Sequence, residues 1–169
     1  MRRRRGHCAA GRAAYFPFMV EFFLALPDET ATARFGAQLA TRLRAGDVVA
    51  LSGPLGAGKS TLARAIIAAL AGATEAPSPT FTLVETYEAR AFPIFHFDLY
   101  RLEKAEDVWE LGFEDALDGL SLIEWPERIE RMLPTHTLRI RLSVDGDARR
   151  ALVRGDDEWG ARLAGLNPA

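Results

Sequence analysis

The sequence has very little cysteine and very little lysine. A single cysteine, Cys8, in 169 residues excludes a disulfide framework and a metal site built from several thiolates. Only Lys59 and Lys104 are lysines, since the rest of the 21 basic residues are arginines. A lysine kept within a motif is therefore informative, because its compact ammonium group differs from the planar guanidinium of arginine.

The chain also lacks a long hydrophobic run. The apolar stretch AAYFPFMVEFFLAL is interrupted by Pro17 and Glu21, and it falls short of the roughly 20 apolar residues that span a bilayer. A composition of 49% hydrophobic and 26% charged residues is ordinary for a globular protein. The lone cysteine favours a reducing compartment, and we expect a cytoplasmic protein without membrane contact.

Charge is distributed unevenly along the chain. Residues 1–18 hold five arginines and no acidic residue, whereas the whole chain has a net charge of −2. We expect 1–18 to be a disordered basic extension and 19–169 to form a single domain. A basic arm that grips RNA is an alternative use of the extension, but the acidic remainder argues against nucleic-acid binding as the main role.

The stretch GPLGAGKS, from Gly53 to Ser60, matches the phosphate-binding loop pattern and lies between a strand, DVVALSG, and a helix. Its glycines let backbone N–H groups face an anion, and the helix N-terminus adds partial positive charge. We expect Lys59 to be exposed and to reach the β- and γ-phosphates, with the Ser60 hydroxyl on Mg²⁺. The expected nucleotide contacts are Gly53, Leu55, Gly56, Ala57, Gly58, Lys59, Ser60 and Thr61.

The remainder alternates between strand-like and helix-like segments. A strand, VEFFLAL, precedes a helix that starts at Pro27-Asp28, and LSLIEW precedes the helix PERIERML. TFTLVETY and AFPIFHFDLY read as paired strands, EKAEDVWELGFEDAL as a helix, and TLRIRLSV turns at VDGDA into RRALVR. This order predicts an α/β fold, a three-layer sandwich of the P-loop NTPase type whose central sheet is mostly parallel with a late antiparallel hairpin.

Two carboxylates follow apolar strands and are candidates for the magnesium site. Asp98 follows IFHF and Glu124 follows LSLI, where side chains reach the carboxyl edge of a sheet. Either residue could instead cap backbone N–H groups, and the residues alone leave open which one is the direct ligand. No Asn/Thr-Lys-x-Asp element accompanies the loop, because the only other lysine follows Glu103, so ATP is favoured over GTP.

Three further residues lie near these positions. Thr80, in SPTFT, either binds Mg²⁺ or orients water when a γ-phosphate is present, or simply belongs to a turn that starts a strand. His96 is interpreted as a packed or hydrogen-bonded strand histidine rather than a catalyst. Trp125 follows Glu124 and is either a core residue or a shield for a metal site.

Together, GPLGAGKST, SPTFTLVETY, FHFDLYRL, LGFEDAL and LIEWPERI have the order and spacing found in one family. Over about residues 26–142 the chain resembles the ATPase component of the bacterial tRNA threonylcarbamoyladenosine biosynthesis machinery. The resemblance implies ATP and Mg²⁺ as cofactors, and ATP hydrolysis that is weak alone and stimulated by partners. The implied partner is a heterodimer of the threonylcarbamoyl transferase subunit and its paralogue. This complex modifies the adenosine beside the anticodon, so the ATPase reaches tRNA only indirectly.

The resemblance also implies residue roles. The implied roles are phosphate binding for Lys59, magnesium binding for Ser60 and Glu124, a catalytic or supporting carboxylate for Asp98, a switch-like loop for Thr80, and the nucleotide and partner side for Trp125. Thr32 is implied to touch the adenine, and Arg149 or Arg150 to close over it. Ser60 replaces the family's more frequent threonine and keeps a hydroxyl. Pro54 replaces a frequent aspartate and offers no polar side chain at that position.

A small-molecule phosphotransferase is the alternative that the loop itself allows. Such kinases usually carry an arginine-bearing lid after the central helices. The segment between SPTF and Asp98 reads as two short strands and leaves no room for a lid.

Overall fold

The computed structural model describes residues 20–73 and 76–166, so the expected extension over 1–18 lies outside the described residues. The described strands are β1 (Val20–Leu26), β2 (Val48–Ser52), β3 (Val84–Glu88), β4 (Pro93–Asp98), β5 (Leu120–Glu124), β6 (Leu138–Asp145) and β7 (Ala148–Gly155). The α-helices are α1 (Glu29–Ala40), α2 (Lys59–Ala71), α3 (Phe113–Ala116) and α4 (Asp157–Leu163), and 3₁₀ helices cover Ala105–Leu111 and Pro126–Met132.

The seven described strands form one sheet in the order β1-β7-β6-β2-β5-β4-β3. The pairs β6·β2, β2·β5 and β5·β4 are parallel, whereas β1·β7, β7·β6 and β4·β3 are antiparallel. The predicted α/β class and the late β6–β7 hairpin are confirmed, but the prediction of a mostly parallel sheet is wrong. Short links join β3 to β4 and β6 to β7, and such links permit only antiparallel pairing. The first strand then adds to the sheet beside the last.

Helices α1 and α2 cover one face of the sheet. Asp28 caps α1 by accepting a hydrogen bond from the Ala31 N–H at 2.7 Å, and aspartate is one of the residues favoured at this position. The two helices lie close together, because a Cβ at Gly36 would run into the side chain of Ala65. Their buried apolar residues form one core with the strands, and this core includes Phe35, Leu39, Leu62, Ile66, Leu122 and Ile140.

Shorter helices cover part of the other face, around Val108, Phe113 and Ile129. The helix predicted through EKAEDVWELGFEDAL is wrong, because Gly112 adopts a left-handed φ of 79° and separates a 3₁₀ helix from α3. The strand predicted from TFTLVETY begins only at Val84, since a turn precedes it. In that turn the Leu83 N–H bonds the Pro79 carbonyl at 2.7 Å. Within residues 20–73 and 76–166, no helix is long and apolar enough to cross a membrane.

The parallel strands β2, β4 and β5 end at the same edge of the sheet. Asp98 and Glu124 are register partners there, on neighbouring strands. The loop after β2 leads into α2 directly above them, so the topology brings the glycine loop, both carboxylates and the start of α2 together.

Candidate functional site

The loop that follows β2 has the backbone of an anion cradle. Gly53, Gly56 and Gly58 have φ values of 136°, 76° and 100°, a region that disfavours side chains. A Cβ at Gly53 would also collide with the carbonyl oxygen of Leu142. Gly58 caps α2 without a side-chain hydrogen bond, so no side chain of the cap residue competes for the first N–H groups of this 13-residue helix.

Lys59 begins α2 and is 4% exposed, so the expectation that it is exposed in the loop is wrong. Its Nζ donates to the carbonyl oxygens of Gly53 and Pro54, both at 2.9 Å. It also lies 4.1 Å from the centre of the Trp125 ring, a cation–π contact. These contacts hold the ammonium group under the loop, where it would otherwise contact a bound anion.

Burial has an electrostatic consequence for Lys59. Desolvation lowers its pKa below the ordinary value of 10.5, and the nearby carboxylates, above all Glu124, oppose that shift. The ammonium group is thus held where its charge is poorly solvated and partly compensated. A phosphate group in the cleft would supply the missing negative charge.

The two strand-end carboxylates have separate sets of partners. Glu124, which is 2% exposed, accepts a hydrogen bond from Ser60 Oγ on Oε2 at 2.9 Å. Asp98 accepts one from Thr80 Oγ1 at 3.0 Å and one from the Tyr100 N–H at 3.1 Å. The second of these is the backbone capping that the sequence allowed, and it coexists with the contact to the SPTFT segment.

His96 is fully buried on β4, two residues before Asp98 and on the same face of the strand. Its Nε2 lies 2.9 Å from Oε1 of Glu124. The interpretation of His96 as a hydrogen-bonded strand histidine is therefore confirmed. Its other nitrogen, Nδ1, is buried without a hydrogen-bond partner among the described residues.

The donor set at the start of α2 fits a magnesium ion that is bound together with phosphate groups. Among the described residues no three His, Cys, Asp or Glu side chains converge on a metal position, but Mg²⁺ beside a nucleotide needs only one or two protein oxygens. Ser60 Oγ and Glu124 Oε2 lie 2.9 Å apart. Neighbouring corners of an octahedron with Mg–O distances of about 2.1 Å are roughly 3 Å apart, so both oxygens can belong to one coordination sphere.

A cleft of about 340 Å³ opens over this edge of the sheet. Predicted site residues line it: Leu55, Gly56, Gly58, Lys59, Ser60, Thr61, Thr80, Asp98, Glu124 and Trp125. Tyr100, which was not predicted, also lines it and packs against the Trp125 ring at a centroid distance of 4.9 Å. The side chain of Ala57 is fully buried, so this residue can offer a ligand only its backbone.

A second cleft, of about 250 Å³, lies on the other side of the loop and shares Gly56, Gly58 and Thr61 with the first. It brings together Thr32 of α1 and Arg149 of β7, which are far apart in the sequence. Arg149 donates to the backbone oxygens of Asp147 and Ala148, whereas Arg150 pairs with Asp145 at 2.9 Å. Of the two arginines considered for this place, Arg149 is the one that lines the cleft.

Sequence reasoning missed several residues of these clefts. Asp28 and Asp147 line the second cleft, whereas the sequence indicated Asp28 only as a helix start and Asp147 only as part of a turn. The link between His96 and Glu124 was also missed, although alternation along IFHFD places His96 and Asp98 on one face. That alternation is the one signal that could have found it.

Fold and site together define a class of protein: an α/β protein with a lysine-bearing glycine loop between a buried strand and a helix. The family model for "Threonylcarbamoyl adenosine biosynthesis protein TsaE" matches residues 26–152. The chain belongs to the TsaE family.

Individual relatives agree with this assignment. The tRNA threonylcarbamoyladenosine biosynthesis protein TsaE of Rickettsia felis is 43% identical over 129 residues, which are 75% of each chain. The protein of the same name from Treponema pallidum is 37% identical over 72% of this chain and 91% of its own. The crystal structure of Bacillus subtilus YdiB superposes with a TM-score of 0.74 at 25% identity, covering 88% of this chain and 95% of that one. The resemblance drawn from the motifs is confirmed.

Proposed function

We propose that the protein is a magnesium-dependent ATPase of the P-loop NTPase type that serves tRNA threonylcarbamoyladenosine biosynthesis in the cytoplasm. Membership of the TsaE family assigns the role in this tRNA modification. The observation that carries the ATPase assignment is the convergence of Lys59, Ser60, Thr80, Asp98 and Glu124 on one cleft at the N-terminus of α2.

Phosphate binding falls to the glycine loop and Lys59. The backbone N–H groups at the start of α2 favour an anion, and Lys59 exchanges the carbonyl oxygens of Gly53 and Pro54 for phosphate oxygens. Because the lysine is buried and poorly solvated before the ligand arrives, this exchange costs little desolvation. Both sides of the loop border a cleft, which leaves room for the phosphates on one side and the nucleoside on the other.

Ser60 and Glu124 are the residues we assign to magnesium. When bound, the ion would neutralise charge on the phosphates and stabilise the charge that develops during transfer. Ser60 and Glu124 hold their oxygens at the required spacing before binding.

Asp98 is the carboxylate we assign to the attacking water. It would orient the water and accept its proton while the bond from the water oxygen to the γ-phosphorus forms and the bond to ADP breaks. Thr80 bonds Asp98 from the SPTFT segment, so a group that contacts Thr80 changes the surroundings of the carboxylate. This contact supports a role for the segment in sensing the γ-phosphate.

Thr32 and Arg149 are the residues we assign to the adenosine end. Both residues line the second cleft, which also borders the phosphate-binding loop at Gly56 and Gly58. ATP is preferred to GTP in this proposal because the sequence has no Asn/Thr-Lys-x-Asp element for guanine. Lys59 lies in the glycine loop, and the only other lysine, Lys104, follows Glu103.

The proposed partner is a heterodimer of the threonylcarbamoyl transferase subunit and its paralogue, through which the protein acts on tRNA indirectly. A small-molecule kinase is disfavoured, because β3 and β4 form a direct hairpin between the SPTFT segment and Asp98 with no inserted lid. We therefore infer that the ATPase drives the work of another protein.

The test is the formation of threonylcarbamoyladenosine in tRNA by the two partner subunits over many turnovers. We expect Lys59→Ala to fail to support continued modification, whereas Lys104→Ala, which changes the only other lysine at an exposed position, supports it like the wild type. Equal modification with and without the ATPase would contradict the proposal. A phosphorylated metabolite would favour the kinase.

A further inference from the structure

The two oxygens of the Glu124 carboxylate are held by different side chains. Oε2 accepts from Ser60 Oγ and Oε1 lies 2.9 Å from His96 Nε2. Because a carboxylate is an acceptor only, the proton of this second bond belongs to the imidazole, and His96 donates through Nε2–H. Nδ1 takes no part in this bond.

The Nδ1 atom of His96 is a costly feature of the folded protein. Nδ1 is buried and has no hydrogen-bond partner among the described residues, and a buried polar atom without a partner destabilises the folded state. An aliphatic side chain would fill this place on β4 without such a cost, since Leu122 lies beside it on β5. Packing alone therefore does not explain an imidazole here, whereas the bond to Glu124 does.

We propose that His96 is a positioning residue that fixes the rotation of the Glu124 carboxylate, so that Oε2 alone faces Ser60 and the metal bound beside it. The inference rests on the proposed function, which supplies the metal. Residues behind metal ligands commonly orient them in this way, and their loss weakens metal binding. Here the effect passes from β4 to β5 across two register-paired strands, without contact between His96 and the nucleotide cleft.

The matched pair of substitutions is His96→Asn and His96→Gln. The amide nitrogen of glutamine reaches about as far as imidazole Nε2, whereas that of asparagine reaches only as far as Nδ1. Glutamine can therefore keep the donor to Glu124 and asparagine cannot. Ser121→Ala is the control for a lost buried hydrogen bond, because Ser121 Oγ bonds the Ala116 carbonyl at 2.9 Å on the opposite face of β5.

The measurement is calorimetric binding of a non-hydrolysable ATP analogue with and without Mg²⁺, which needs no turnover. The expected readout is the factor by which Mg²⁺ tightens binding. We expect His96→Asn to lower that factor by about tenfold or more, and His96→Gln and Ser121→Ala to keep it within about threefold. Affinity without Mg²⁺ should be equal in all four proteins. In a Glu124→Ala background, His96→Asn should have no further effect.

If Mg²⁺ tightens binding to His96→Asn by the same factor as to the wild type, the inference is overturned while the proposed function stands. An additive loss in the Glu124→Ala background would have the same consequence. If Mg²⁺ does not change the affinity of the wild type for the ATP analogue, the metal part of the proposed function is refuted, and this inference with it. The proton on Nε2 gives a test that needs no variant. Long-range proton–nitrogen NMR correlations should show a proton on Nε2 of His96, and an Nε2 without a proton would overturn the inference.

Discussion

Asp98 and Glu124 are register partners at the ends of β4 and β5, yet each binds a different part of the site. Glu124 is tied to α2 through Ser60, and Asp98 is tied to the SPTFT segment through Thr80. In the proposed function, one carboxylate is thus placed for the metal and the other beside the segment proposed to sense the γ-phosphate. The proposed roles of the two carboxylates can therefore be tested separately.

Substitutions of Ser60 test the metal assignment. Ser60→Thr keeps a hydroxyl and should retain Mg²⁺-dependent hydrolysis, whereas Ser60→Ala removes one of the two oxygens that stand 2.9 Å apart. We expect the alanine variant to need about tenfold more Mg²⁺ for half-maximal hydrolysis, or more. The measurement is a Mg²⁺ titration of the hydrolysis rate. Equal requirements in the alanine and threonine variants would argue against Ser60 as a ligand.

Much of this arrangement could be predicted from the sequence, because it depends on local signals. The loop Gly53–Ser60, the cap at Asp28 and the β6–β7 hairpin follow from residue types and spacing. The pairing of β1 with β7 does not, because it joins opposite ends of the described chain. The burial of Lys59 does not either, since the Trp125 ring and two backbone carbonyls that receive its ammonium group meet only in the folded protein.

The pH dependence of stability should report the buried charge of Lys59. Its folded pKa lies below the unfolded value of 10.5, chiefly through desolvation, so the folded protein releases this proton first as the pH rises. The free energy of unfolding then increases with pH between the folded and unfolded pKa values. We measure the free energy of unfolding by urea denaturation and subtract the value for Lys59→Met from that for the wild type. This difference should become more positive as the pH approaches 10.5. A difference that stays constant or falls with pH would contradict the burial of the Lys59 ammonium group.

Two glycines of the loop should respond differently to alanine. At Gly56 alanine must adopt a left-handed φ of 76°, which costs roughly 1–2 kcal/mol, and at Gly53 it must adopt a φ of 136°, beyond the left-handed helical region. At Gly53 the new Cβ also meets the Leu142 carbonyl oxygen, whereas Gly56 has open space around it. Denaturation should therefore show a larger loss of stability for Gly53→Ala than for Gly56→Ala. Equal losses would mean that the loop does not pack against β6 as described.

The proposed partner-dependent ATP hydrolysis is tested by the rate of phosphate release from ATP, measured with and without the two partner subunits. We predict slow release by the wild type alone, a marked increase with the partners, and no such increase for folded Lys59→Ala. Lys104→Ala should behave like the wild type. Vigorous release that needs no partner, or stimulated release that survives Lys59→Ala, would contradict the proposal.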